Sequence, residues 1–173
     1  IYANLGSVLL GQGRHQDAEA LLRRSTSRIP NNFDTLPDPA TARHHAVAVY
    51  LNLGNALMEQ NRPAEAEAAI HSALAIEPNH LQAQKNLAGI LNQQAVTLFN
   101  ARRFEAALTL FQRSLAIEPN NAETHSNLGS TLAQMGRYAK AITSFERALE
   151  LDPQLASARA NLQLARQRLE TEQ

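Results

Sequence analysis

The sequence has no cysteine and no tryptophan, and aromatic residues make up only 5% of its 173 positions. Without cysteine there are no disulfides, no thiol nucleophile and no thiolate metal ligands, while the compartment is left open. Charge of neither sign is in excess. Sixteen Lys and Arg balance 16 Asp and Glu, which argues against a dedicated nucleic-acid binder with its basic surplus. Charged residues, at 18%, fall below the usual share of roughly 25%. No apolar run approaches the roughly 18 residues of a membrane-spanning helix, so no membrane insertion is expected. An initiator Met and a signal-peptide pattern are both missing. The chain opens at Ile1-Tyr2 inside a helical pattern and reads as a piece of a longer protein.

Catalytic signatures are also lacking. No phosphate-binding Gly-rich loop, nucleophile elbow or HExxH motif occurs. The six histidines, His15, His44, His45, His71, His80 and His125, have no metal-ligand spacing. His44 and His45 are adjacent and fall on different helix faces. We expect no enzyme activity, no cofactor and no metal. What is present is 44% apolar content, ample for a core, with much Ala. Such a chain favours helices packed closely through small residues.

The sequence repeats itself. Similar stretches begin at Asn4, Asn52, Asn86 and Asn127, and each runs to a proline: Pro30, Pro78, Pro119 and Pro153. The prolines are 48, 41 and 34 residues apart. The basic period is therefore 34, with two insertions that are multiples of a heptad. Gly6, Gly54, Ala88 and Gly129 are small where a first helix must approach a second. Ala18, Ala66, Ala107 and Ala141 are their expected small partners, because larger groups would overpack such a contact. Gly13, Asn61 and Gly136 can end the first helices in the left-handed conformation. The third repeat has only Asn100-Ala101-Arg102-Arg103 there. Each closing proline stops the second helix, and Asn31, Asn79 and Asn120 follow three of them as candidate starts for the next element.

A helix-turn-helix period of 34 resembles the tetratricopeptide repeat (TPR) family. The fourth repeat carries the resemblance most fully, with Leu128, Gly129, Leu132, Gly136, Tyr138, Ala141, Phe145, Ala148 and Pro153. The resemblance implies an all-α, right-handed TPR solenoid of four helix-turn-helix repeats plus a C-terminal capping helix. We read 1–173 as a single TPR domain. Repeat 1, truncated at its start, occupies 1–30; an insertion 31–46; repeat 2 47–80; repeat 3, with a long first helix, 81–121; repeat 4 122–155; and the cap 156–173. Asp38 caps a long helix with Pro39 at its first position. That helix should run to about residue 60, and another long one should span about 80–101. A seven-residue insertion keeps the apolar stripe on one face, as Leu87, Leu91 and Leu98 illustrate. The sequence leaves open which end of the long helices protrudes.

In the family, protein segments bind a concave groove lined by first helices. The resemblance therefore implies a protein or peptide ligand, and Asn4, Asn52, Asn55, Lys85, Asn86, Asn92, Asn127 and Ser130 are the candidate groove residues. Asn4, Asn52, Asn86 and Asn127 each precede the Leu-Gly or Leu-Ala pair that opens an aligned stretch, and Asn161 repeats the position in the tail. Asn is a mediocre helix-interior residue, so its recurrence wants a reason. A primary amide can both donate to and accept from one peptide unit, giving sequence-tolerant binding of an extended backbone. This resembles the asparagine ladder of O-linked N-acetylglucosamine transferase. The alternative is that these amides bond within the helix layer. If the long helix is aligned from its far end, Gln93 replaces Asn86. Lys85 is the one strong charge on this face, so a charge-dependent clamp is not expected. Two further readings stay open: a substrate-recruiting arm of a larger enzyme, and a homodimer formed through the uncapped N-terminal face or the long helices.

Overall fold

The computed structural model describes residues 2–171, and all its regular structure is helical. Among the described residues nine helices follow in order: α1 Tyr2–Gly11, α2 His15–Thr26, α3 Pro39–Glu59, α4 Pro63–Ile76, α5 Leu81–Asn100, α6 Phe104–Ile117, α7 Ala122–Gln134, α8 Tyr138–Leu151 and α9 Ala156–Thr171. They divide into two compact units, and the boundary, between Ile90 and Leu91, lies in the middle of α5.

In the first unit α1 packs on α2 and on α3, α2 on α3, and α3 on α4. Its fully buried side chains include Leu22, Val47, Leu57 and Ile70. In the second unit α6 packs on α7, α7 on α8 and on α9, and α8 on α9. Phe111 and Phe145 are its largest buried groups. Burial of one such side chain stabilises the fold by about 1.5–3 kcal/mol.

The glycines of the first helices do what their spacing predicts. A Cβ on Gly6 would lie 2.8 Å from Leu22 Cδ2, one on Gly54 2.7 Å from Ile70 Cδ1, and one on Gly129 2.7 Å from Phe145 Cε1. Each large residue stands 16 positions after its glycine. In the third repeat the same spacing leads from Phe111 back to Ala95, and Ala95, Ala107 and Phe111 form one buried cluster. Ala95, not Ala88, is therefore the small residue of the α5–α6 contact. Ala88 is buried in the first unit. It stands 34 residues after Gly54, whereas Ala95 stands 34 before Gly129. The seven-residue insertion gives α5 two registers, one in each unit.

Four turns share one hydrogen-bond pattern. Arg14, Arg62, Arg103 and Arg137 each donate a backbone N–H to the carbonyl five residues back, all at 2.9 Å. The residue before each has positive φ: Gly13 71°, Asn61 56°, Arg102 58° and Gly136 72°. This is the Schellman end of a helix, and in the third repeat an arginine takes the left-handed place. Asp38 Oδ1 accepts from Thr41 N at 3.1 Å and caps α3. Asn121, rather than Asn120, caps α7, accepting from Thr124 N at 2.9 Å. His80 Nδ1 accepts from Ala83 N at 3.2 Å at the start of α5.

Candidate functional site

The recurring asparagines lie on first helices, and within each unit they reach the preceding first helix. In the first unit Asn52 Nδ2 donates to the Ala3 carbonyl at 2.9 Å. Asn86 Nδ2 donates to Asn55 Oδ1 at 3.1 Å, and Asn86 Oδ1 accepts from Gln82 Nε2 at 2.8 Å. In the second unit Asn127 Nδ2 donates to Asn92 Oδ1 at 3.4 Å, and Asn161 Nδ2 donates to Ser130 Oγ at 3.2 Å. Ser130 Oγ itself donates to the Ser126 carbonyl at 3.0 Å. Four of the eight candidates thus meet in two pairs, Asn55 with Asn86 and Asn92 with Asn127, while Asn52 and Ser130 bond to residues outside the set. Asn4 and Lys85 are exposed and stand outside these contacts.

A primary amide has two N–H donors and an oxygen with two lone pairs. One donor of Asn52, Asn86, Asn127 and Asn161 is engaged within the helix layer, which fixes the amide plane. The second N–H of each remains, and Asn52 and Asn127 also keep an oxygen that accepts no bond from the described residues. Leu51 and Met58, apolar residues close in sequence to Asn52 and Asn55, are half-buried. Gln93, the far-end counterpart of Asn86, is exposed.

Two buried threonines on α7 are satisfied internally. Thr124 Oγ1 donates to Asn121 Oδ1 at 2.9 Å, and Thr131 Oγ1 donates to the Asn127 carbonyl at 2.9 Å. Among the described residues no group of His, Asp and Glu is placed to hold a metal ion, and no helix is long and apolar enough to cross a membrane.

Sequence reasoning missed the arginines that open the second helices. Arg14, Arg62, Arg103 and Arg137 each stand at an N-cap without a side-chain cap bond. Three of them pair with first-turn acids: Arg14 with Asp17 at 2.8 Å, Arg62 with Glu65 at 2.7 Å and Arg137 with Glu105 at 2.8 Å. Acids there also complement the helix dipole. The recurrence of Arg at one register position was the available signal. Reasoning also missed Arg168, which lines a cavity of about 360 Å³ in the second unit beside Ser130 and Asn161.

Comparison with known proteins fits this geometry. Family models described as tetratricopeptide repeat match residues 1–28, 47–80 and 86–154. No curated protein matches in sequence. Similar solved structures include one described as "Crystal structure of MamA protein", 21% identical, covering 98% of this chain and 81% of that one, with a TM-score of 0.67. Another, "MamA RS-1 ArsTM double mutant", is 18% identical over 96% of this chain and 82% of that one, with a TM-score of 0.64. A third is "Crystal structure of YrrB: a TPR protein with an unusual peptide-binding site", 20% identical, covering 98% and 76%, with a TM-score of 0.60. At these identities the likeness is one of fold. The all-helical architecture and these neighbours place the chain in the TPR solenoid class. The structures named here lend no support to the narrower likeness to the glycosyltransferase arm.

Proposed function

The chain belongs to the tetratricopeptide repeat family, and from that premise we propose that it is a non-catalytic scaffold holding an extended peptide or protein segment against its first helices. The observation that carries this reading is the shared engagement of Asn52, Asn86, Asn127 and Asn161. Each is oriented by one donated bond and retains a further N–H for a ligand backbone. Extended chain offers a peptide unit about every 3.3 Å, so such amides bind main chain with little regard to side chains. The repeat boundaries given above are part of the same proposal.

The YrrB structure is described as having a peptide-binding site, which supports the class of ligand. The test is a peptide-display selection followed by NMR mapping of the selected peptides. Shifts at Asn52, Asn127 and their neighbours support the reading. Shifts confined to α2, α4, α6 and α8 overturn it.

A second reading, self-association, is favoured by one observation. Leu5 and Val8 on α1 are 46% and 54% exposed. Light scattering over a concentration series tests it, and a monomer throughout excludes it.

A further inference from the structure

The cavity between α7, α8 and α9 carries one positive charge, that of Arg168. It has a volume of about 360 Å³, at the small end of ligand cavities. Besides Ser130 and Asn161, three donor-bearing side chains line it: Gln134, Tyr138 and Arg168. Among the described residues none of the three has a side-chain hydrogen bond or ion pair. The nearby Arg166 and Arg147, by contrast, are paired with Glu146 and Glu150. No Asp or Glu lines the cavity. Its apolar lining includes Leu164, 52% exposed, and the buried Ala165.

We infer that this cavity takes the side chain of a glutamate within an extended peptide. The inference rests on the peptide-binding reading above and adds a preference to it. A guanidinium presents a planar fork that matches a carboxylate. The Tyr138 hydroxyl and the Gln134 amide supply neutral donors to the same anion. A glutamate also has two methylenes, and these lie against Leu164 and Ala165 while the charge meets Arg168. A glutamine in its place would set an N–H donor against the guanidinium and lose the charge.

The probes are two acetylated, amidated peptides, Ala-Leu-Glu-Leu-Ala and its Gln counterpart, which have no terminal charge. Titrations are followed by amide NMR to millimolar concentration with the wild-type chain and Arg168→Gln. Arg168 is exposed, and equal melting temperatures would confirm that the variant folds. The wild type should bind the Glu peptide roughly tenfold more tightly, the scale of one charge-assisted contact, with shifts at Ser130, Gln134 and Asn161. The preference should vanish in the variant. Equal affinity for both peptides, or a preference that survives Arg168→Gln, would overturn the inference. If both peptides bind equally and Asn52→Ala with Asn127→Ala weakens both, the backbone reading stands and only the acidic preference falls. Absence of shifts at millimolar peptide overturns this inference and counts against the reading beneath it.

Discussion

Arg62 Nη1 donates to Glu19 Oε2 at 2.7 Å, tying the second repeat to the first. The same carboxylate accepts from Gln60 Nε2 at 2.9 Å, and its other oxygen accepts from Arg23 Nε at 2.8 Å. Its side chain is only 13% exposed. Burial raises the Glu19 pKa, but the hydrogen bonds from Arg23, Gln60 and Arg62 outweigh it and hold the value at about 2, below the usual 4.5. The folded pKa is depressed, so the contribution is present above about pH 4.5 and is lost as pH falls toward 2. Glu19→Gln should cost about 1–2 kcal/mol at pH 7 and should flatten this acid-side loss. Thermal melts at pH 7 and pH 3 check both statements, and an unchanged pH slope contradicts them.

The close approach at Gly129 predicts a graded pair of variants. Gly129→Ala sets a methyl 2.7–2.8 Å from two atoms of the Phe145 ring, whereas Gly54→Ala meets chiefly the Ile70 Cδ1 methyl at 2.7 Å. A ring cannot step aside, but a terminal methyl can change rotamer. Overpacking costs typically about 1–3 kcal/mol, and the helix preference of Ala returns up to about 1 kcal/mol. Gly129→Ala should therefore destabilise by about 1–2 kcal/mol and Gly54→Ala by less. Urea unfolding gives the order. Adding Phe145→Leu should restore part of the loss in the first variant.

Arg102 predicts a gain. It is exposed and holds φ at 58°, where a side chain costs roughly 1–2 kcal/mol. Arg102→Gly should stabilise the second unit by about 0.5–1 kcal/mol after the extra freedom of unfolded Gly is counted. Gly13→Ala and Gly136→Ala, at φ 71° and 72°, should destabilise by a similar amount. Denaturant midpoints decide the sign.

These contrasts mark what the sequence told and what it hid. The period of 34, the prolines and the Asp38-Pro39 start gave the helices and their order, because turn chemistry and apolar spacing are local. The third repeat misled because its insertion lies inside a helix. Counting from Asn86 puts Ala88 in the small position, yet each other repeat keeps 12 residues between its two small partners, and only Ala95 keeps that distance to Ala107. Arg102 was opaque, since a non-glycine in the left-handed region is imposed by the turn rather than by its own preference. The amide contacts of Asn52, Asn86, Asn127 and Asn161 depend on neighbouring repeats, so no local pattern discloses their partners. No local pattern singles out Arg168, and only the packing of α9 on α7 and α8 sets it at a cavity.

The central claim is that oriented amides on the first helices hold a ligand backbone. It is tested most directly by isothermal titration of a display-selected peptide into the wild type and into Asn52→Ala with Asn127→Ala. Both asparagines are half-buried, and each makes one side-chain bond within its unit. The double variant should stay folded with a modest loss of stability. Its affinity should fall roughly tenfold or more, as expected for losing two amide contacts of about 1 kcal/mol each. A folded double variant with unchanged affinity would contradict the account.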